Sequence, residues 1–432
     1  MKILFKNAVI LSSSEDGKLE VLKNASLGVN NNIIDYIGNC PCAQNYDTVR
    51  DMHGDILMPG LVNAHGHTPT VLLRGIGSGA TLNDWLYNYV FPTEDKMTPQ
   101  SIEIGERWGI IEMLRGGTTM VTEMYDYPWN AAKVLKESGM RAHLTRCGFS
   151  LSQTECIPAG RLDECIDFVK NWNDPNGRIV SDFSIHSEYL SNEIIERGIV
   201  EANKHFHRNV HIHVSETENE HLECMQRHKG LTPIQYFDSL GVFEENTYCA
   251  HCVWANETDM EILKKKNVSV VYNASSNLKL GSGIAPINEM VKMGINIAIG
   301  TDGAASNNNL NMFEEMHLGS MLRKGISKDP TAANAEETLK MATLGGATAL
   351  GHKDTGSLRV GMKADLISVS LDVPHMFPAI DIPNLLVYSA QASDVNMTMV
   401  DGNILYDHGE FTTIDVEKAK FEMKNEVERL YR

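Results

Sequence analysis

No stretch of this 432-residue chain approaches the roughly 20 consecutive apolar residues that a membrane-spanning helix needs, which excludes a helical membrane protein. The N-terminus, Met1-Lys2-Ile3-Leu4-Phe5-Lys6-Asn7-Ala8-Val9-Ile10, carries lysine inside a short apolar alternation and lacks a small-residue cleavage site. It reads as a strand and not as a secretory leader. Cysteine is sparse. The eight residues are scattered, without the density of a disulfide scaffold, and Cys249-Ala250-His251-Cys252 has no second CxxC pair to complete a structural zinc site. These thiols read as packing residues of a reduced compartment, so a cytoplasmic protein is expected. Positive charge is in deficit: 38 Lys and Arg stand against 56 Asp and Glu, a net charge of −18 that repels a phosphate backbone. A polynucleotide partner is excluded on that ground. Residues 275–283 hold glycines and a lysine but lack the Walker spacing, and they read as a loop shaping a pocket wall.

What the chain does hold is a long alternation of apolar strands with helix-length segments. Strand-like runs fall at 56–62, 118–123, 141–145, 183–186, 210–214, 248–251, 268–272 and 295–300. Eight β-α units are the pattern of an α/β TIM-like (β/α)8 barrel, whose active site lies at the C-terminal ends of its strands. The two ends of the chain differ in texture. Residues 27–38 alternate about a turn of asparagines, and residues 397–406 alternate about Asp401-Gly402, both hairpin signals. The expected organisation is a small β-sandwich domain built from 1–56 and 357–432 around a barrel at 57–356. Residues 416–431 form an amphipathic helix that docks on the protein's own surface or on another subunit.

His65-Gly66-His67 directly follows the first apolar run, so two imidazoles sit at a strand end and project to the same side. Further runs end in His213, His251 and Asp302. Imidazoles with one carboxylate suit zinc or another divalent transition metal. His211 lies on the same side of its strand as His213, about 7 Å deeper, and reads as structural or solvent-facing; His205 and His207 read as helix-end or loop residues. The aromatic segment from Trp85 to Glu94 falls in the long connection after the first strand, where barrel enzymes carry lids, although simple packing would use the same residues. Arg146 and Arg161 carry the forked donors that suit a carboxylate, while Arg161 could equally pair with Asp163 or Glu164. Asn307-Asn308-Asn309 reads as a loop capping the next helix.

Met58-Pro59-Gly60-Leu61-Val62-Asn63-Ala64-His65-Gly66-His67, His213-Val214-Ser215-Glu216-Thr217, Ala250-His251-Cys252, Ser276-Asn277-Leu278-Lys279-Leu280 and Gly300-Thr301-Asp302-Gly303-Ala304-Ala305-Ser306 together resemble the amidohydrolase superfamily. Within it, the chain is similar to the 5-methylthioadenosine/S-adenosylhomocysteine deaminases. The resemblance implies His65, His67, His213 and Asp302 as metal ligands. The fourth strand reads Asp182-Phe183-Ser184-Ile185-His186, without the lysine that bridges two metals in binuclear members, so one Zn2+ per chain is implied, with Fe2+, Mn2+ or Ni2+ as alternatives. It further implies Glu216 as the acid that protonates a purine ring nitrogen, His251 as the group that polarises the attacking hydroxide, and Asp302 as acceptor of its proton. Substrate contacts are implied for Glu94 with the ribose, His186 with the nucleoside, and Arg146 and Arg161 with a homocysteine carboxylate; Trp85 and its neighbours would cover the purine. The expected activity is hydrolytic deamination of 5'-thio-substituted adenosines by a homo-oligomer acting on a small nucleoside. Rival readings are another aminopurine deaminase, a triazine hydrolase, or a silent metabolite-binding barrel.

Overall fold

The computed structural model describes residues 1–13, 18–39, 42–172, 174 and 177–432. Eight parallel strands form one sheet in strict chain order: Leu61–Asn63, Thr118–Tyr125, Arg141–Gly148, Ile179–Ile185, Val210–Val214, Thr247–His251, Ser269–Tyr272 and Ile297–Ile299. Parallel neighbours require a crossover helix between them, and the apolar runs noted above are what strands buried on both faces look like. The sheet nearly closes on itself. Ala64 N–H donates to the Ile299 carbonyl at 3.0 Å and Asp302 N–H to the His65 carbonyl at 3.0 Å, joining the first and last strands where the ligand candidates begin.

A second, nine-stranded mixed sheet is built from both chain ends, with Leu366–Val369 antiparallel to Ile56–Pro59 and the latter parallel to part of Lys2–Ser13. Its inner face buries Ile3, Phe5, Ile10, Leu27, Ile34, Leu57, Leu366, Met397 and Met399. Both turn readings hold: Leu19–Asn30 pairs with Ile33–Gly38 through Asn31 at φ 55°, and Val395–Val400 pairs with Asn403–Asp407 through Asp401 and Gly402 at φ 50° and 74°.

The apolar run 56–62 is not one strand. It divides between the two sheets at Gly60, whose N–H donates to the Asp365 carbonyl of the chain-end sheet while Leu61 N–H donates to Gly117 on the barrel side. Burial is complete on both sides of the break, so hydrophobicity cannot mark it; only Pro-Gly does. A Cβ at Gly60 would lie 2.1 Å from Thr119 Oγ1, so the crossing point leaves no space for a side chain. The C-terminal helix Val416–Tyr431 docks on the protein's own surface. Leu430 is buried, and Glu426 accepts from Ser101 and Arg429 beside the helix Pro99–Arg115.

The seven described cysteines are unpaired thiols, Cys40 lying outside the described residues. Among the described residues no helix is long and apolar enough to cross a membrane.

The two sheets are pinned by one buried ion pair. Arg141, at the start of the third barrel strand and fully buried, donates from Nε to Asp365 Oδ2 at 2.6 Å and from Nη2 to Asp365 Oδ1 at 3.1 Å. Asp401 N–H also donates to Asp365 Oδ1, at 2.7 Å. Removing one member of such a pair leaves the other charged and unsolvated, which costs far more than the intact pair contributes. Arg141→Met should therefore destabilise the protein by about 3–5 kcal/mol in a denaturant titration, whereas breaking the exposed Arg197–Glu193 pair should change it by less than about 1 kcal/mol.

Candidate active site

The C-terminal ends of the first, fifth, sixth and eighth strands deliver four imidazoles and one carboxylate to one point. His67 Nδ1–H donates to the Met124 carbonyl at 2.6 Å and His213 Nδ1–H to the His186 carbonyl at 2.6 Å. With those protons committed to backbone oxygens, both Nε2 atoms present bare lone pairs, and they face each other at 3.1 Å. His65 Nε2 is buried without a hydrogen-bond partner and lies 3.3 Å from Asp302 Oδ1, which is also 3.3 Å from His67 Nε2. Burial keeps these rings neutral: it holds His67 down to about 4 and His213 well below its usual range. Acceptor facing acceptor at hydrogen-bond distance is repulsive unless a cation lies between, so His65, His67, His213 and Asp302 fit a divalent metal by the chemistry of their own atoms.

The backbone is bent to achieve this. Ser215, His251, Cys252 and Asp302 all adopt left-handed φ values of 51°, 73°, 49° and 60°, a costly conformation for residues with a side chain and one that collects at functional sites. Gly300 lets the eighth strand pass His65, since a Cβ there would meet His65 N at 2.8 Å.

Several supports escaped the sequence reading. The segment 275–283 begins in a short helix, Ala274–Lys279, whose Ser276 hydroxyl donates to Asp302 Oδ2 at 2.6 Å and whose Asn277 Nδ2 donates to His251 Nδ1 at 2.8 Å. With Nδ1 accepting, the His251 proton sits on Nε2, 3.8 Å from Glu216 Oε2. Glu220 gathers the N–H groups of Ser215, Glu216 and Thr217 at 3.0, 2.7 and 3.4 Å and forms a capping box with Thr217, fixing the loop that carries Glu216. That box was readable as Thr-x-x-Glu. The asparagine triplet does not cap the next helix, because Asn311 does. Asn307 instead ties the Thr301 carbonyl to Glu315.

Every ligand, catalytic or substrate-contact candidate named from the sequence lines one cavity of about 610 Å³ except His65, which lies buried beneath it. Trp85 forms part of the lid, anchored by Nε1–H to the Ile76 carbonyl at 3.0 Å. Glu94 accepts the Tyr125 hydroxyl, and burial followed by the Asp126 and Asp95 charges pushes its carboxyl up to about 7 despite that bond. Glu216 is pushed up to about 8, first by burial and then by Asp302. Arg146 and Arg161 stand together in the wall. Arg161 donates from Nη1 to Asp126 Oδ1 at 2.7 Å and not to Asp163 or Glu164; Arg146 shares that oxygen and also pairs with Glu164. Asp126, Tyr125, Phe149 and Tyr189 also line the cavity, with no sequence signal of their own.

His211 is not solvent-facing. It is fully buried, and its Nε2 lies 2.8 Å from His65 Nδ1.

A nearly closed β/α barrel with an imidazole and carboxylate cluster at its strand ends defines the architecture of a metal-assisted hydrolase. The comparisons narrow this class. The amidohydrolase family model matches residues 56–405, and the chain belongs to that family. Within it the chain groups with the 5-methylthioadenosine/S-adenosylhomocysteine deaminases: one from Acetivibrio thermocellus is 43% identical over all of both chains. A 5'-deoxyadenosine deaminase from Methanosarcina acetivorans is 38% identical over 99% of this chain and 98% of its own. A solved structure of an adenosine deaminase from Xanthomonas campestris with bound zinc superposes with a TM-score of 0.91 at 30% identity, covering 99% of this chain and 98% of that one.

The contact between His211 and His65 sets which His65 nitrogen carries the proton, and such outer partners typically govern metal affinity by 10- to 100-fold. His211→Phe should weaken divalent metal binding by about that factor in chelator competition, with His211→Gln, which keeps an acceptor, recovering part of the loss. Equal affinity in all three proteins would show that the pair only packs.

Proposed function

We propose that this chain is a mononuclear, zinc-dependent aminohydrolase that converts the adenine ring of 5'-thio-substituted adenosines to the hypoxanthine ring with release of ammonia. The observation that carries the reading is Glu216, a carboxyl group kept protonated near neutral pH by burial, 3.8 Å from the proton-bearing nitrogen of His251 and in one cavity with Asp302. A ring C–N carbon resists attack until the adjacent ring nitrogen is protonated, and a neutral carboxylic acid at this position supplies that proton. The names and zinc content of the relatives above agree with it.

Zinc held by His65, His67, His213 and Asp302 would lower the pKa of a bound water to near 7 and so provide the nucleophile. Glu216 gives its proton to purine N1 as the water oxygen adds to C6. Asp302 receives a proton from that water and returns it to the amino nitrogen as the C6–N bond breaks. The remaining hydroxyl proton restores Glu216 as the C6 carbonyl forms, so one water is consumed and one ammonia leaves. His251 donates from Nε2 to the oxygen at C6, its orientation fixed by Asn277. Glu94 accepts the ribose hydroxyls, His186 and the Trp85 lid enclose the nucleoside, and the Arg146 and Arg161 wall faces the 5' substituent. The seven described thiols, all unpaired, support a cytoplasmic site of action.

The direct test is the absorbance change on incubating the metal-loaded enzyme with methylthioadenosine, compared with Glu216→Gln. The variant should retain one metal equivalent per chain yet lose about 10²- to 10⁴-fold in kcat, because an amide cannot cycle the proton. Near wild-type turnover by Glu216→Gln, or two equivalents of tightly bound metal in the site, would overturn the reading.

A pH profile tests Glu94 separately. Its carboxyl, raised to about 7, must be ionised to accept two hydroxyls, so it is competent above that pH and progressively protonated below it. KM should rise as pH drops through about 7, and that rise should vanish in Glu94→Gln, while a fall in kcat from protonation of the nucleophile should persist.

A further inference from the structure

The two arginines in the cavity wall are not equivalent. Arg146 spends its guanidinium within the protein: Nη1 donates to Asp126 Oδ1, while Nε and Nη2 reach Glu164 Oε2 at 2.8 and 2.7 Å. Arg161 makes one bond, from Nη1 to Asp126; its Nε is buried without a partner, and its Nη2 has no acceptor among the described residues. Asp126 is used on one side only. Both arginines occupy Oδ1, and the side chain remains 46% exposed toward the cavity, with Oδ2 unspent among the described residues. Two guanidinium groups are thus balanced by the carboxylates of Asp126 and Glu164, so the arginine pair offers no surplus positive charge.

That balance decides what fits. A lone carboxylate would compete with Asp126 for Arg161 and find no surplus positive charge, while a lone ammonium would leave the free donors of Arg161 unused. A group bearing both on one carbon brings its own compensation, with the carboxylate on Arg161 and the ammonium on Asp126 Oδ2. Resting on the functional reading above, we propose that Asp126 and Arg161 form a zwitterion cradle in which Asp126 reads the α-ammonium of an amino-acid tail. Arg161 carries the carboxylate, and Arg146 serves to hold Asp126.

The test uses the metal-loaded enzyme and three probes: methylthioadenosine, S-adenosylhomocysteine, and its analogue with a 3-carboxypropyl thioether, which lacks only the amino group. Ratios of kcat/KM are taken within each protein, so a general loss of active enzyme cancels. Wild type should prefer S-adenosylhomocysteine over the carboxypropyl analogue by about tenfold or more, the scale of one charge-assisted contact. Asp126→Asn should shrink that preference to within about threefold and raise the carboxypropyl analogue relative to methylthioadenosine, because Arg161 is freed. Arg161→Gln should lower both carboxylate probes against methylthioadenosine by about tenfold or more. A wild type indifferent to the amino group, or an Asp126→Asn that keeps the preference, would overturn the cradle while methylthioadenosine turnover stands. Wild-type enzyme that deaminates none of the three would overturn the functional reading itself.

Discussion

Two bare imidazole nitrogens 3.1 Å apart are the constraint around which the rest of this molecule is arranged. Left to themselves, His67 and His213 would turn away from each other or take up protons, and burial closes the second route. Rotation is blocked because each ring donates its other proton to a main-chain carbonyl, Met124 on the second strand and His186 after the fourth. Met124 lies within the barrel sheet and the His186 carbonyl also accepts the His213 N–H at 3.1 Å, so the repulsion is held by main-chain groups and not by side chains that could relax. Preorganisation of this kind makes a cation the least costly occupant of the gap.

The same logic runs outward one layer. Asp302 and His251 leave their strands in left-handed conformations that expose their side chains to the cavity, and each is tethered by a residue of one short helix, Ser276 and Asn277. Glu315 then links that helix to the loop after Asp302 by accepting from Ser275 N–H and Asn307 Nδ2. The cost of several strained residues is spread over a network with one element in common, so disturbance at residues 274–279 should be felt by Asp302 and His251 together.

The candidate ligands stood out in the sequence because each lies at the end of an apolar run, and strand ends are where a barrel builds its site. Glu216, Glu94 and the arginines became legible through motif resemblance, since a lone acidic or basic residue in a loop has no periodicity to betray it. What stayed hidden depended on pairing across sequence distance. The division of 56–62 turns on which sheet each amide finds, and both halves are equally apolar. His211 shares its strand face with His213, yet its role depends on His65, 146 positions away. Asp126 follows a strand as many solvated acids do, and only the approach of Arg146 and Arg161 from other segments makes it part of the wall.

Three carboxylates in one cavity show how environment, more than residue type, divides labour. Asp302 meets imidazoles and the Ser276 hydroxyl, Glu216 meets little beyond a weak 3.4 Å contact with Ser282, and Asp126 meets two guanidinium groups. Burial dominates Glu216 and keeps its proton on; the paired arginines outweigh burial at Asp126 and keep its proton off. An acid able to give up a proton and a fixed anion able to receive a cation are thus made from the same functional group within one enclosure. The imidazole-lined end holds Asp302 and Glu216, and the arginine-lined end pairs its guanidinium groups with Asp126 and Glu164. The two ends nonetheless share one enclosure: the Asp126 charge is felt at Glu94, where it raises the carboxyl, even while the arginines beside Asp126 keep that residue ionised.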